Sequence, residues 1–187
     1  QVEVWRRGGI TIPIYVVPLG IDPEQWTYQE RPARPPDAPF TILSYGMLSS
    51  RKSPLETIYD VCWYAFGEPL GKADDWKLVL KTRRGILGTG SMRFSISDPH
   101  VEVLSGDYTG SEMSSLCYNA DVGINLSKYE GFGLAPLEMM ATGLPVILSA
   151  NTGHLEYCNP EFNIPIATKR IIPAEEAYSL KEDWRWN

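Results

Sequence analysis

Between residues 40 and 148, short apolar runs alternate with amphipathic segments. Phe40 to Tyr45 reads as a strand that ends at Gly46. Residues 53–66 carry Leu55, Ile58, Tyr59, Cys62 and Phe66 at spacings of three or four, which is one face of an amphipathic helix. Trp76 to Leu80, a near-continuous apolar run, predicts a second strand, and Val101 to Leu104, closed by Gly106, a third. Residues 111–119 predict a helix with Ser111 as its N-cap. Val122 to Leu126 predicts a fourth strand and Pro145 to Leu148 a fifth. Between them, Pro136 to Thr142 reads as a short helix, with Pro in its first turn and Gly143 just past its end. Upstream, residues 12–17 read as one more short strand before the turn Pro18-Leu19-Gly20. Strands alternating with helices imply the α/β class, a Rossmann-like parallel sheet with helices on both faces. Such a sheet binds ligands at the carboxyl ends of its strands.

The expected organisation places the start of the domain at residues 1–22 and a Pro-rich loop at 23–39, with Pro32, Pro35, Pro36 and Pro39. The Rossmann-like domain follows over 40–158 and a C-terminal tail over 159–187. Trp184 and Trp186 in that tail are apolar bulk without evident cover, so the tail reads as truncated, with self-association as one way to cover it. Residues 83–100, with Arg83-Arg84-Gly85, Gly88 and Gly90, read as a loop. Because the chain opens on Gln1, it is expected to be a fragment or a processed product.

The net charge of -6 argues against non-specific nucleic-acid binding, although it leaves room for an anionic ligand in a local basic pocket. Cys62, Cys117 and Cys158 are odd in number and have neither metal-ligand nor redox spacing. Buried free thiols are the expectation for Cys62 and Cys117. A reducing compartment follows, hence a cytoplasmic location, with peripheral membrane association of the full-length protein as the alternative. No run approaches the ~18 apolar residues of a membrane span.

The informative stretch runs from Ser127 to Glu138, directly after the fourth strand and into a helix. Gly131 and Gly133 let a ligand approach the main chain closely. The start of the helix offers unpaired N–H groups and partial positive charge, which suit a diphosphate. Glu130 lies before the helix and Glu138 inside it. A carboxylate accepts paired hydrogen bonds from vicinal hydroxyls such as those of a sugar or ribose ring.

Residues 121–155 resemble the C-terminal donor-binding domain of the GT-B glycosyltransferases of family 4 (group 1). Glu130 and Glu138 match that family's Glu-x7-Glu signature, with Gly131-Phe132-Gly133 after the first Glu. Ala141, Gly143 and Pro145-Val146-Ile147 match the stretch that follows. Residues 151–156 resemble its Gly-Gly-x-x-Glu loop, with Thr152 in place of the first Gly. Val17 to Asp22 looks like its hinge turn and Gly46 to Lys52 like its phosphate loop.

The resemblance implies a retaining hexosyltransferase-type enzyme that binds a UDP-, GDP- or ADP-linked sugar as donor substrate. It implies no cofactor and no metal, and a missing N-terminal domain of the same enzyme that holds the acceptor. Glu130 should then contact the transferred sugar and Glu138 the ribose. Lys52 should meet the diphosphate, and Phe132, Gly133 and Leu134 should help cradle it. The turn at Gly106-Asp107-Tyr108 should read the base. Family members often carry Arg directly after the glycine of the phosphate loop, where this chain has Met47, and Arg51 is a candidate substitute.

Other candidates weigh toward ordinary roles. Lys81 ends the second strand and reads as a solvated lysine, with a phosphate contact as the alternative. Arg83 and Arg84 read as loop charges, His100 as a surface residue, and His154 as a polar loop residue near the donor. Tyr108 reads as partial core, with base stacking as the alternative. The sequence has no Asp-x-Asp motif and no Gly-x-x-x-x-Gly-Lys-Ser. Two other functions stay open: a non-catalytic nucleotide- or phosphosugar-binding module, and half of a sugar-nucleotide epimerase.

Overall fold

A computed structural model describes residues 2–46, 61, 62, 65, 75–83 and 98–168. Six strands form one sheet: β1 (Phe40–Tyr45), β2 (Trp76–Thr82), β3 (Val101–Ser105), β4 (Val122–Asn125), β5 (Val146–Ala150) and β6 (Ile164–Ala167). Their order across the sheet is β3-β2-β1-β4-β5-β6, and every pairing is parallel. Around them lie helix α1 (Val2–Arg7), helix α2 (Gly110–Tyr118), helix α3 (Leu134–Ala141) and a 3-10 turn (Thr152–Glu156).

Period-two alternation sends the strand side chains to two cores. Leu43, Tyr45, Val79, Val146 and Leu148 face α2 and α3, where Cys117 and Met139 meet them. Ile42, Leu78, Leu80, Val122 and Ile124 face the other way, toward Cys62. Residues 61, 62 and 65, the described part of the helix expected over 53–66, are helical. The expected doubly covered parallel sheet is therefore present. Burial pushes both core thiols up to about 11, so Cys62 and Cys117 are inert core residues.

The elements differ from expectation in instructive places. Helix α2 begins two residues earlier than Ser111 as N-cap implies. Thr109 is its N-cap and forms a reciprocal capping box with Glu112. Helix α3 runs from Leu134, so Pro136 sits within its first turn. Residues 12–17 are not a strand: Val17 is 83% exposed, with no neighbouring strand to pair it. The sheet also continues past residue 158, where the sequence reading begins a tail. Asn159 to Asn163 turns the chain, and β6 adds an edge strand beside β5. Among the described residues no helix is long and apolar enough to cross a membrane.

The Pro-rich loop is strapped to the domain rather than hanging as a linker. Trp26 is buried in the core that holds Leu43 and Met139. Its neighbour Tyr28 packs against Gly143. Arg31 donates to three backbone carbonyls: Gly143 at 3.0 Å, Cys117 at 2.6 Å, and Ala120. Cys117 and Ala120 lie at the C-terminal end of α2, where carbonyls lack intrahelical partners and favour a cation. One guanidinium thus joins the ends of α2 and α3 to the loop. Arg31→Ala is expected to lower stability by about 1–3 kcal/mol, the cost of stranding part-buried carbonyls that bonded to a charged group. Urea denaturation of the two proteins checks this, and Arg31→Lys, without the planar fork, should recover little.

Candidate functional site

The strand order reverses between β1 and β4. That reversal opens a crevice at the carboxyl ends of a parallel sheet, where open α/β folds bind ligands. Tyr45 and Gly46 end β1 on one side, and Leu126 to Gly133 leave β4 on the other. The structure therefore brings together Gly46, Glu130, Gly131, Phe132, Gly133, Leu134 and Glu138.

Gly133 is the N-cap of α3 and sits in the left-handed region, with φ 86° and ψ 72°. A β-carbon there would come within 2.7 Å of the His154 ring and the Tyr157 hydroxyl, so the position demands glycine on two counts. Behind it, the segment 151–157 acts as a buttress. The Tyr157 hydroxyl donates to the Gly133 carbonyl at 2.5 Å. Gly153 N–H donates to the Glu130 carbonyl at 3.0 Å. The N–H groups of Gly131, Phe132 and Gly133 have no acceptor among the described residues.

Thr152 explains the departure from two glycines. It holds φ at 43°, a costly conformation for a β-branched residue. Its hydroxyl accepts from Glu130 N–H at 2.8 Å and donates to Asn151 Oδ1 at 2.9 Å. The side chain that strains the backbone thereby fastens the loop to the glycine turn.

The two carboxylates are fixed differently. Glu130 is half-buried, and its Oε1 accepts from the Ser127 hydroxyl at 2.8 Å. Ser127 is itself fixed, because its carbonyl accepts from Ser149 Oγ at 2.6 Å and Asn151 Nδ2 at 3.0 Å. Glu138 Oε2 accepts from the Tyr45 hydroxyl at 3.0 Å. Burial raises its carboxyl above the usual range, and the Tyr45 bond opposes that shift. Tyr45, Ser127, Thr152 and Tyr157 were not legible as site residues. Only the place of Tyr45, last in a strand and just before Gly46, hinted at its position.

At the far side of the crevice, Lys81 departs from the expected solvated lysine. It is buried, and its ammonium donates to the carbonyls of Thr82 at 3.0 Å and Gly106 at 2.7 Å. It also lies 4.1 Å from the centre of the Tyr108 ring, a cation–π contact that occupies one ring face. Burial lowers its pKa. Lys81 thus fastens the turn that bears Asp107 and Tyr108. Asp107 is exposed and pairs with Arg83 at 2.6 Å. His100 is not on the surface. It is buried, stacks on Trp76 at 4.6 Å and bonds Asp98 through Nδ1 at 2.8 Å. His154 is fully buried, with Nδ1 2.9 Å from the Ser149 carbonyl. Met47, Arg51, Lys52 and Arg84 lie outside the described residues.

Comparison with known proteins agrees with this geometry. Residues 98–185 match the family described as glycosyl transferases group 1. Over that segment the chain is similar to the group 1 glycosyltransferases. An uncharacterized glycosyltransferase of Methanocaldococcus jannaschii is 36% identical over 85 residues, covering 42% of this chain and 22% of the relative. The GDP-mannose:cellobiosyl-diphosphopolyprenol alpha-mannosyltransferase of Xanthomonas campestris is 29% identical over 137 residues, covering 72% of this chain and 34% of the relative. The chain thus spans about a third or less of the length of these curated relatives.

Among solved structures, sucrose-phosphate synthase from Thermosynechococcus elongatus aligns with a TM-score of 0.57 at 26% identity, over 73% of this chain and 34% of that one. The C-terminal domain of a group 1 family protein from Francisella tularensis shares the fold. It has a TM-score of 0.58 at 20% identity, over 80% of this chain and 81% of that one. Anabaena HepE, solved in complex with UDP-glucose, does so with a TM-score of 0.55 at 17% identity, over 70% of this chain and 35% of that one.

Gly153 tests the buttress directly. A β-carbon there would lie 2.5 Å from the Gly131 carbonyl oxygen and 2.6 Å from Phe132 N, both backbone atoms with little room to move. Gly153→Ala should displace the glycine turn and cost about 1–3 kcal/mol of stability, the usual penalty of overpacking. Denaturant unfolding measures the loss, and exchange of the Glu130 amide, which bonds the Thr152 hydroxyl, should quicken.

Proposed function

We propose that this chain is the donor-binding half of a retaining, hexosyl-transferring glycosyltransferase of the family 4, Glu-x7-Glu type. One observation carries the reading. At the strand-order reversal, a helix N-terminus with unpaired N–H groups stands between two positioned carboxylates, Glu130 and Glu138. In this reading Gly131 to Leu134 meet the diphosphate, Glu138 the ribose and Glu130 the transferred sugar. Main chain near Asp107 and Tyr108 reads the base, and Lys52, with Arg51 as a second cation, meets the leaving phosphate.

The chemistry follows from where charge develops. As the anomeric bond breaks, negative charge gathers on the departing diphosphate and positive charge on the ring. Donors set in advance around the leaving group lower that barrier. Glu130 positions the sugar rather than attacking it, in keeping with front-face displacement. The acceptor belongs on a second Rossmann-like domain of the whole enzyme. The domain needs no metal or cofactor in this scheme, because backbone N–H groups and lysine carry the phosphate charge. The GDP-mannose-dependent relative and the neighbour solved with UDP-glucose point to GDP- and UDP-linked sugars as first donors to try. Met47, in place of a frequent arginine, favours a second reading as a non-catalytic nucleotide-binding module.

A thermal-shift panel of UDP, GDP, ADP and their sugars should raise the midpoint of this chain with one base preferred, and EDTA should not alter the shift. Glu138→Ala should weaken binding in calorimetry by about 1–3 kcal/mol, the cost of lost hydrogen bonds to a charged group. Unchanged affinity with an intact fold would count against the ribose role. The chain alone should transfer no sugar. Glycosyl transfer by the full-length enzyme, without epimerisation of the donor, separates the main reading from the binding module and the epimerase.

A further inference from the structure

Tyr45 is the last residue of β1, at the strand-order reversal, and is 7% exposed. Its ring packs in the core with Cys117 and Met139, where phenylalanine would fill the same space. The hydroxyl is therefore the part that packing does not explain. It lies 3.0 Å from Glu138 Oε2 and 3.1 Å from the Ala135 carbonyl.

A phenol has one proton and faces two oxygen acceptors here. A bond to an ionised carboxylate is roughly twice as strong as one to a neutral carbonyl, so an ionised Glu138 takes the proton. Burial holds the Tyr45 phenol well above its ordinary range, so it stays a donor at any pH the fold experiences.

We propose that Tyr45 is a positioning residue of the donor site, its hydroxyl pinning Glu138 Oε2 so that Oε1 is left to grip a hydroxyl of the bound nucleotide's ribose. The inference rests on the donor-site reading above. Pinning one oxygen removes side-chain freedom before the ligand arrives, so less is lost on binding. It also keeps the acid ionised in a half-buried place, where desolvation alone favours the neutral form. Among the described residues, the titratable groups that face Glu138 are Tyr45 from β1 and Cys117 from α2.

The test is calorimetry of wild type, Tyr45→Phe, Glu138→Gln and the double variant with GDP and with UDP, repeated from neutral to acid pH. Tyr45→Phe should bind about ten-fold more weakly near neutral pH, and in the Glu138→Gln background it should add little. The bond to the hydroxyl lowers the Glu138 pKa, so its loss raises that pKa. The acid-side fall in affinity should then begin at higher pH in Tyr45→Phe than in wild type. The nucleotide phosphate titrates alike in both proteins, so only the difference is read.

If wild type binds and a folded Tyr45→Phe binds within about two-fold, with the same acid limb, the positioning role is wrong while the donor site stands. If wild type binds neither nucleotide, the donor site falls and this role falls with it. Should Tyr45→Phe not fold, carbon-13 NMR of wild type replaces it. Tyr45 ring signals that follow the Glu138 carboxyl with one midpoint support the pairing, and ring signals that ignore it overturn the pairing.

Discussion

The contact between the segment 151–157 and the turn 130–133 determines what the rest of this molecule can do. Gly153 touches the backbone of Gly131 and Phe132 too closely for any side chain, and the Gly153 and Tyr157 donors take the carbonyls of Glu130 and Gly133. Those bonds set the direction of the turn. With those two carbonyls held against the buttress, the start of α3 lies at the crevice between β1 and β4. The sheet brings the two ends of that crevice together, and the turn gives it a polarity suited to an anion.

A second layer of fastening surrounds this centre. Arg31 binds the Pro-rich loop to the ends of α2 and α3, and Lys81 secures the turn after β3. Both use a cation to satisfy carbonyls at the ends of secondary-structure elements, and neither is available to hold phosphate while so engaged. Among the described residues, the start of α3 is then left to offer positive charge to a ligand at the crevice. The stretch from Ile12 to Leu19 leaves Ile12, Tyr15, Val16, Val17 and Leu19 exposed.

Much of the fold was legible because a doubly covered parallel sheet demands continuous apolar strands. Phe40–Tyr45, Trp76–Thr82 and Val122–Asn125 announce themselves this way. Residues 12–17 show the limit, since β-branched residues make a strand only where a neighbour offers backbone partners. Strand β6 shows the converse. It carries Pro165 and is largely exposed, so only its pairing with β5 makes it a strand. His100 and Lys81 were misjudged for one reason. Polar side chains enter a core when local carbonyls or a carboxylate satisfy them, and no spacing rule shows those partners. At the site, the glutamate and glycine spacing was visible, but the supporting hydroxyls of Tyr45, Ser127, Thr152 and Tyr157 were not. Tyr45, Thr152 and Tyr157 come from segments that only folding joins to the turn, whereas Ser127 lies three residues before Glu130.

The central claim is that the backbone of the glycine turn, not a distant surface, receives the diphosphate. Nitrogen-15 NMR of the 187-residue chain titrated with GDP and UDP addresses it directly. The account predicts that the largest amide shifts fall on Gly131, Phe132, Gly133 and Leu134, with smaller ones at Gly153. Saturable binding that leaves those amides unmoved and shifts residues elsewhere would contradict it.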